Sequence, residues 1–398
     1  MEISKERSWH FEELGSFGTF KKGKGISKKE LVSKGYPCVT YGEIYTIHHD
    51  YIKEFKSFIN SSTAEVSQRL IQGDLLFASS GEARDEIGKA VAYVDNNPAY
   101  AGGDIIIFRQ KEHQPIFLGY ILNSEYVRRQ LFKVGQGHSV VHVYTSQLEK
   151  VRVPLPPLPE QKRIAAILST WDKAITHCEE IITQLEQRNK GLAQQLLTGK
   201  TRLPGFTGEW REIKASEVFA NSSIKNNPLH LNVLSATQEN GVVPRDQVDI
   251  NIKYDKQSLN SYKRVSIGDF VISLRSFQGG IEYSEYDGII SPAYTILKNK
   301  IPISDTYYRF FFKSIYFIRK LQSVIYGIRD GKQINSNDFS ILKVPYPTIQ
   351  EQQAIASILN QGQKEIDFYK DLLDQYKQQK KGMMQQLLTG KVRVAVAK

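Results

Sequence analysis

Val153-Pro154-Leu155-Pro156-Pro157-Leu158-Pro159-Glu160-Gln161 opens a segment that closes with Gln194-Gln195-Leu196-Leu197-Thr198-Gly199-Lys200, and the whole segment then occurs again. The second copy opens Val344-Pro345-Tyr346-Pro347 and closes Gln385-Gln386-Leu387-Leu388-Thr389-Gly390-Lys391. The displacement is 191 residues without a gap, and 22 of 48 positions are identical. A repeat of this kind decides the architecture before any local reading does.

Inside each copy the apolar residues step by four and three. The first copy gives Ile164, Leu168, Trp171, Ile175, Cys178, Ile182, Leu185, Asn189, Leu192 and Leu196. The second gives Ile355, Leu359, Gly362, Ile366, Tyr369, Leu373, Tyr376, Lys380, Met383 and Leu387. This is the seam of a helix lying along a partner helix. Gly199 and Gly390 stand where each helix should stop, and Pro159 stands near the start of the first. Each helix should therefore run for about 39 residues, roughly 58 Å at 1.5 Å per residue. Asn189 and Lys380 hold equivalent seam positions. A polar residue there either fixes register at some cost in stability or marks a wet end of the pair.

The order along the chain is module, helix, module, helix. A chain that pairs the two helices must run back along itself, so the pair is antiparallel and the two modules are related by a pseudo-twofold axis. The expected fold is α+β: two similar globular α/β domains separated by two long helices in an antiparallel coiled coil, a ruler with two heads. The expected segments are 1–152, 153–200, 201–343 and 344–398.

Length and composition allow two or three domains with substantial cores, since 40% of the 398 residues are hydrophobic and 24% charged. No apolar run approaches the roughly 20 residues of a membrane span, and the first residues do not read as a signal peptide. Two cysteines, Cys38 and Cys178, do not make a disulfide framework and suit a reducing cytoplasm. The net charge is +11. Residues 1–152 carry 20 Lys/Arg against 18 Asp/Glu, and residues 201–343 carry 19 against 14. The basic excess is consistent with a polyanionic partner without requiring one.

The two modules share a skeleton. Strands are expected near Trp9 and Phe11, at Tyr36–Tyr41, at Asp74–Ala78 after a Gly73-Asp74 turn, at Ile105–Phe108 and at Val140–Tyr144, with a helix over Leu118–Lys133. The second module restarts at Gly208-Glu209-Trp210, repeats the turn and strand at Gly268–Ser273 and the helix at Tyr307–Leu321, and reaches Gly331–Asn335 before the second Pro-rich lead-in. The lysines of Lys21-Lys22-Gly23-Lys24-Gly25 and Lys28-Lys29 read either as a phosphate-contacting loop or as a solvated one. Gly18, Gly23 and Lys24 fit GxxxxGK, but Gly25 stands where a Ser or Thr is needed, so a nucleotide-binding loop is rejected. Asn97-Pro98-Ala99-Tyr100 lacks the second proline of the methyltransferase Asn-Pro-Pro-Tyr motif and reads as a surface turn. His138 and His142 have no third ligand nearby, and no GxSxG, HExxH or CxxC is present. No catalytic, cofactor or metal residue is assigned.

Val153–Ala165, the twice-repeated Gln-Gln-Leu-Leu-Thr-Gly-Lys and the Gly-Glu-Trp restart together resemble the specificity subunit of type I restriction-modification enzymes, over essentially the whole chain. The second lead-in departs slightly, with Gln353-Ala354 for Lys162-Arg163. The resemblance implies two target-recognition domains, each reading one half of a split double-stranded DNA site. It implies helices that dock two methyltransferase subunits, which methylate adenine with S-adenosylmethionine. It also implies restriction subunits that supply ATP- and magnesium-dependent translocation and cleavage. This chain would then make no bonds and hold no cofactor itself. Base contacts do not carry over, so the DNA-contact candidates are basic and amide residues in expected loops. They are Lys21, Lys22, Lys24, Lys28 and Lys29 in the first module, and Lys263, Arg264, Arg275, Arg329, Lys332 and Gln333 in the second. Two other classes remain open: a single-chain DNA-modifying enzyme with unrecognised motifs, and a coiled-coil scaffold without DNA specificity.

Overall fold

The structure is a computed structural model, which describes residues 9–81, 86–135, 141–225, 231–248, 256–323, 334 and 336–395. Two helices of 39 residues dominate it, Leu158–Leu196 and Ile349–Leu387. The chain divides into two compact units, Met1–His177 with Leu373–Lys398, and Cys178–Leu372, so each long helix gives one half to each unit.

In the first unit a four-stranded antiparallel sheet runs Gly18–Lys22, Ile105–Gln110, Leu75–Ala78, Ala90–Ala92 in spatial order. A five-stranded sheet of short strands, from Leu31–Val32 to Gln68–Arg69, lies in the same unit. The second unit repeats the four-stranded sheet with Phe219–Ser222, Thr295–Asn299, Phe270–Ile272 and Glu282–Tyr283. The Gly-Asp turns work identically. Gly73 and Gly268 hold φ of 96° and 93°, open to glycine at little strain. The following aspartate then pins the turn. Asp74 accepts Ile71 N–H at 2.8 Å and pairs with Arg109 at 2.7 Å. Asp269 accepts Ser266 N–H at 2.8 Å and pairs with Lys298 at 2.8 Å.

The Pro-rich lead-ins begin as strands. Arg152–Leu155 pairs antiparallel with His10–Glu13, and Lys343–Tyr346 with Arg211–Lys214. Two-stranded ribbons are all edge, so a proline there removes no essential ladder bond. Each expected single helix is instead two. Pro115–Leu122 and Glu125–Val134 are separated at Asn123, whose amide leaves the helix to bond both Ala90 N–H and Ala90 C=O. Asp305–Lys313 and Ile315–Ser323 are separated at Ser314, whose hydroxyl accepts Phe317 N–H at 3.2 Å. Side chains that bond locally to the backbone compete with helix continuation, which apolar periodicity does not register. Of the strand expected over Val140–Tyr144, Val141–His142 is a strand, Val143 and Tyr144 are not, and Val140 lies outside the described residues.

Within each unit the helix halves run antiparallel. In the first, Ile164, Leu168 and Leu387 are buried, Trp171 meets Tyr376 edge-on at 5.8 Å, and Met383 packs on the core. Ile175, Leu373 and Tyr376 are half-buried there. In the second, Ile182, Leu185, Ile355, Leu359 and Ile366 are buried, Leu192 packs beside them, and the Cys178 thiol meets the Tyr369 carbonyl at 3.3 Å. Asn189 lies against Gly362, where a Cβ would come within 2.5 Å of the amide.

The end of one helix completes each core. Leu196 and Leu197 are buried in the second unit's core, and Leu387 and Leu388 in the first unit's. The stops are alike: Gly199 at φ 68° packs under Trp210, and Gly390 at φ 69° under Trp9. An arginine three residues on then ties down the start of the other helix. Arg202 pairs with the buried Glu351 at 2.6 Å and Arg393 with the buried Glu160 at 2.6 Å. The next residue, Gln161 or Gln352, is also buried. It donates to the Pro156 or Pro347 carbonyl and accepts the Gln114 or Ser304 N–H. Leu388→Ala should therefore lower the stability of the first unit, and Leu197→Ala that of the second, each by about 2–5 kcal/mol. Hydrogen exchange resolved along the chain reads this. Leu388→Ala loosening residues 205–345 instead would contradict it.

Candidate functional site

The first unit's lysines form a continuous exposed run, but not the expected loop. Lys21 and Lys22 lie on the strand Gly18–Lys22, the edge of the four-stranded sheet, paired with Ile107 and Ile106. Lysine is at home on such an edge because its charge discourages strand addition. Gly23 then comes so close to the Gly102 carbonyl that a Cβ would sit 1.9 Å from it. Gly23 N–H and Lys24 N–H bond Ile105 and Ala101 carbonyls at 2.8 and 3.1 Å, so Lys24 is presented from a fixed backbone. Lys28 and Lys29 belong to a 3-10 turn, Lys28–Glu30, opened by Ser27 and closed back on it by Glu30. Those bonds from Ser27 hold the Glu30 carboxyl below its usual range. None of the five lysines makes an ion pair among the described residues.

The second unit does not gather its candidates. Lys263 and Arg264 lie on the strand Lys263–Val265, paired with Gly288–Ile290, and not in a loop. Lys263 is spent internally: its ammonium donates to the Tyr294 carbonyl at 2.6 Å, and burial, with Lys225 nearby, lowers its pKa. Arg264 is exposed. Arg275 is exposed on the turn after Phe270–Ile272, a strand of another sheet. Arg329, Lys332, Gln333, the surrounding Gly331–Asn335 lead and His138 lie outside the described residues, Ile334 apart.

Arg275 rests on a buried prop. The Lys313 ammonium donates to the Gln238 and Gly279 carbonyls at 3.2 and 3.1 Å and pairs with Glu282 at 2.6 Å. The Gln238 amide in turn donates to the Arg275 carbonyl. Two turns that could display side chains are thus held from beneath by one cation. Glu282 is 1% exposed, and burial, opposed by Lys313, pushes its pKa up to about 7.

No group of three or more His, Cys, Asp or Glu that could hold a metal exists among the described residues. His142 bonds the Ser80 hydroxyl at 3.0 Å. Asn97 is folded onto the Asp95 carboxylate, Ala99 is buried, and Tyr100 is in a strand. No described helix is long and apolar enough to cross a membrane.

Two copies of one head, each presenting basic side chains from a repeated frame, match a known pattern. The family described as type I restriction modification DNA specificity domain matches twice, over residues 6–187 and 208–378. The chain belongs to the type I restriction-modification DNA specificity family. The type I restriction enzyme MjaVIII specificity subunit of Methanocaldococcus jannaschii is 29% identical over 309 residues, covering 70% of each chain. The S subunit of a type I restriction-modification system from M. genitalium superposes with a TM-score of 0.60 at 14% identity, over 97% of this chain and 98% of that one. A chain from a structural study of complex assembly in the type I system gives 0.58 at 17% identity, over 98% and 99%. These structures show the same fold.

Reading the repeat as ending at Lys200 and Lys391 missed Arg202 and Arg393, two residues further on, although Gly-Lys-Thr-Arg and Gly-Lys-Val-Arg are plain in the sequence. It also missed Asp50, Asp172 and Tyr120, which surround Lys380. The Lys380 ammonium pairs with Asp172 at 2.8 Å and Asp50 at 3.2 Å, and lies 5.2 Å from the Tyr120 ring centre. Tyr120 donates its hydroxyl to Asp172. Lys380 is 14% exposed, so this seam position is a buried ion-pair site and not a wet end.

Glu282 makes the second unit's stability depend on pH. Its folded pKa of about 7 lies above the ordinary 4.5. Below pH 4.5 folded and unfolded chains both hold the proton. As pH rises through 7 the folded chain must ionise a buried carboxyl, and stability is lost. The second unit should weaken between pH 4.5 and 8 by up to about 3 kcal/mol from this group. Glu282→Gln should flatten that slope in denaturant titrations. An equal slope in the variant would sink the assignment.

Proposed function

We infer that this chain is the DNA-recognition subunit of a type I restriction-modification complex. Each globular domain reads one half of a bipartite site in duplex DNA, and the paired long helices set the separation of the half-sites. The observation that carries this reading is the doubled head: one frame, held by the same glycine stop, arginine–glutamate pair and glutamine, bears two different exposed surfaces. A protein that reads two unlike half-sites needs that combination.

On this reading residues 1–152 and 201–343 are the readers, and 153–200 and 344–398 hold the assembly. The exposed lysines of residues 21–29 position phosphates, which supplies affinity without sequence information. Arg264 and Arg275 have the chemistry for guanine edges, because a guanidinium can donate two parallel bonds. The chain makes and breaks no bonds. Two methyltransferase subunits dock on the helices and methylate adenine with S-adenosylmethionine. Restriction subunits bring ATP, magnesium and cleavage. Assembly and reaction then take place in the cytoplasm, where the DNA is.

A methylation map tests the reading directly. The full chain, expressed with its methyltransferase subunit in a host lacking adenine methylation, should produce methylated adenines in one split motif. Omitting the chain should abolish them. Soluble, associated proteins that leave the genome unmodified would overturn the recognition role. Substituting Lys21, Lys22 and Lys24 together by alanine should weaken duplex binding alike for cognate and unrelated sequences. It should also reduce the slope of log affinity against log salt by roughly 2–3, at about 0.9 per phosphate contact. A changed motif with an unchanged slope would reassign those lysines to base edges.

A further inference from the structure

The same crevice, between the long helices and the first short helix of the head, is built differently in the two units. In the first unit it contains Tyr120, Asn123, Asp172 and Lys380. Counting through the repeats, the second unit places Phe310, Lys313, Gln363 and Asn189 at the corresponding positions. The first crevice is narrowed by the chain itself, which leaves a smaller pocket of about 360 Å³ beside Asp50, Asn123 and Lys380. Asp50 accepts the Lys380 ammonium at 3.2 Å, and Tyr51 packs edge-on against Tyr120 at 6.2 Å. Gly119 lets that segment in, since a Cβ there would lie 2.0 Å from the Asp50 carbonyl. Lys53 then bonds Thr176 at 2.8 Å on the long helix.

The second crevice is open. It is a groove of about 990 Å³, with Ala193, Phe310, Leu359 and Ile366 among its apolar lining. Ile315 and Tyr316 stand at its edge, 45% and 40% exposed. The chain that runs beside the strand here bridges Ser284 through Val242, which in the strand register sets Asn240 and Gly241 where the first unit has Asp50 and Tyr51. That segment brings no carboxylate, and Lys313 in the crevice is held instead by the buried Glu282 of the neighbouring strand. The rim carries Lys190, Lys200 and Arg319, none ion-paired among the described residues. Its one acidic residue, Glu186, is paired with Lys370 at 3.0 Å. The contrast extends to the rim itself: Arg129 in the first unit is neutralised by Glu125 one turn back, but the matching Arg319 has Ile315 there.

We propose that this groove is a docking seat for a partner polypeptide segment that presents a carboxylate beside an aromatic side chain, the pairing Asp50 and Tyr51 supply to the matching crevice. The apolar lining favours a polypeptide over duplex DNA, whose backbone is met by charged and polar groups. Unpaired cations around an apolar floor give an acidic segment both its anchor and its orientation. The two units then offer unlike seats, one largely taken up by this chain and one awaiting its occupant. The proposal rests on the assembly reading above, with a methyltransferase subunit as the partner to be tested.

The test uses the full chain and the methyltransferase subunit, with stoichiometry from native mass spectrometry and affinity from titration. Lys190→Glu with Arg319→Glu reverses the rim, and Ala193→Trp fills the floor without changing charge. Each should weaken the binding of one methyltransferase copy by about tenfold or more, leaving the other unchanged. Arg129→Glu with Lys381→Glu, at the matching positions of the first unit, should leave both copies bound as before. Assembly unaffected by either groove alteration would overturn the proposal. So would unaffected assembly with weakened binding to a 30-base-pair duplex, which would give the groove to nucleic acid. An unaltered chain that forms no complex at all overturns the assembly reading and this proposal with it, and is recognised because no substitution is involved.

Discussion

Each unit depends on a helix end that arrives from elsewhere in the chain. Leu196 and Leu197 close one core, and Leu387 and Leu388 close the other. The leucines supply apolar burial, which is strong but undirected. Direction comes from the residues just past them. A glycine in the left-handed region ends the helix, its bare Cα lies under a tryptophan, and an arginine reaches the first turn of the antiparallel helix. Glu160 and Glu351 are almost fully buried, so each carboxylate requires its arginine. The carboxylates also sit in the first turn of their helices, where the macrodipole favours negative charge.

In the second unit the glycine stop and its tryptophan, Gly199 and Trp210, are close in sequence, but Arg202 is 149 residues from Glu351. In the first unit Gly390 meets Trp9 across nearly the whole chain, and Arg393 is 233 residues from Glu160. The glycine–tryptophan contact therefore closes a short loop in one unit and a very long one in the other, whereas the arginine–glutamate pair closes a long loop in both. Because the closure entropy of a loop grows only logarithmically with its length, the longer closures cost only about 0.4–3 kcal/mol more than the shorter ones. The first unit should thus be complete only when the last residues are in place, although most of its sequence comes first.

The parts legible in the sequence were those written in periodicity and repetition. The two 39-residue helices followed from the seam and its glycine stops. The Gly-Asp turns followed from their recurrence. The hidden parts were decided by partners distant in sequence or by local bonding. Lys380 was visible as an odd residue in a seam, but its partner Asp50 is 330 residues away. The breaks at Asn123 and Ser314 are made by side chains bonding the backbone, without disturbing the apolar pattern. Lys21 and Lys22 were read as loop because glycines come after them, yet those glycines serve a backbone approach to Gly102 beyond the end of an edge strand. Arg264 and Lys263, adjacent in sequence and alike in charge, have opposite fates, because the Tyr294 carbonyl takes one of them inward.

The residues that hold the frame recur at fixed displacement, and those that do not recur are the ones free to differ. Gln161 and Gln352 make the same bonds, as do Asp74 and Asp269. Against that constancy, the exchange of Tyr120, Asp172 and Lys380 for Phe310, Gln363 and Asn189 removes two opposite charges together with the hydroxyl that bonded one of them. Losing a single member would have left a buried charge without a partner, at a cost of several kcal/mol. Losing the whole set leaves apolar and amide surface beside Lys313, which Glu282 neutralises, and water or a partner can meet it. The crevice could therefore open in one unit without weakening the helix pair beneath it, since Ile182, Leu185, Ile355 and Leu359 are buried all the same. The frame thus separates two demands, stability from the repeated contacts and recognition from positions the repeat does not constrain.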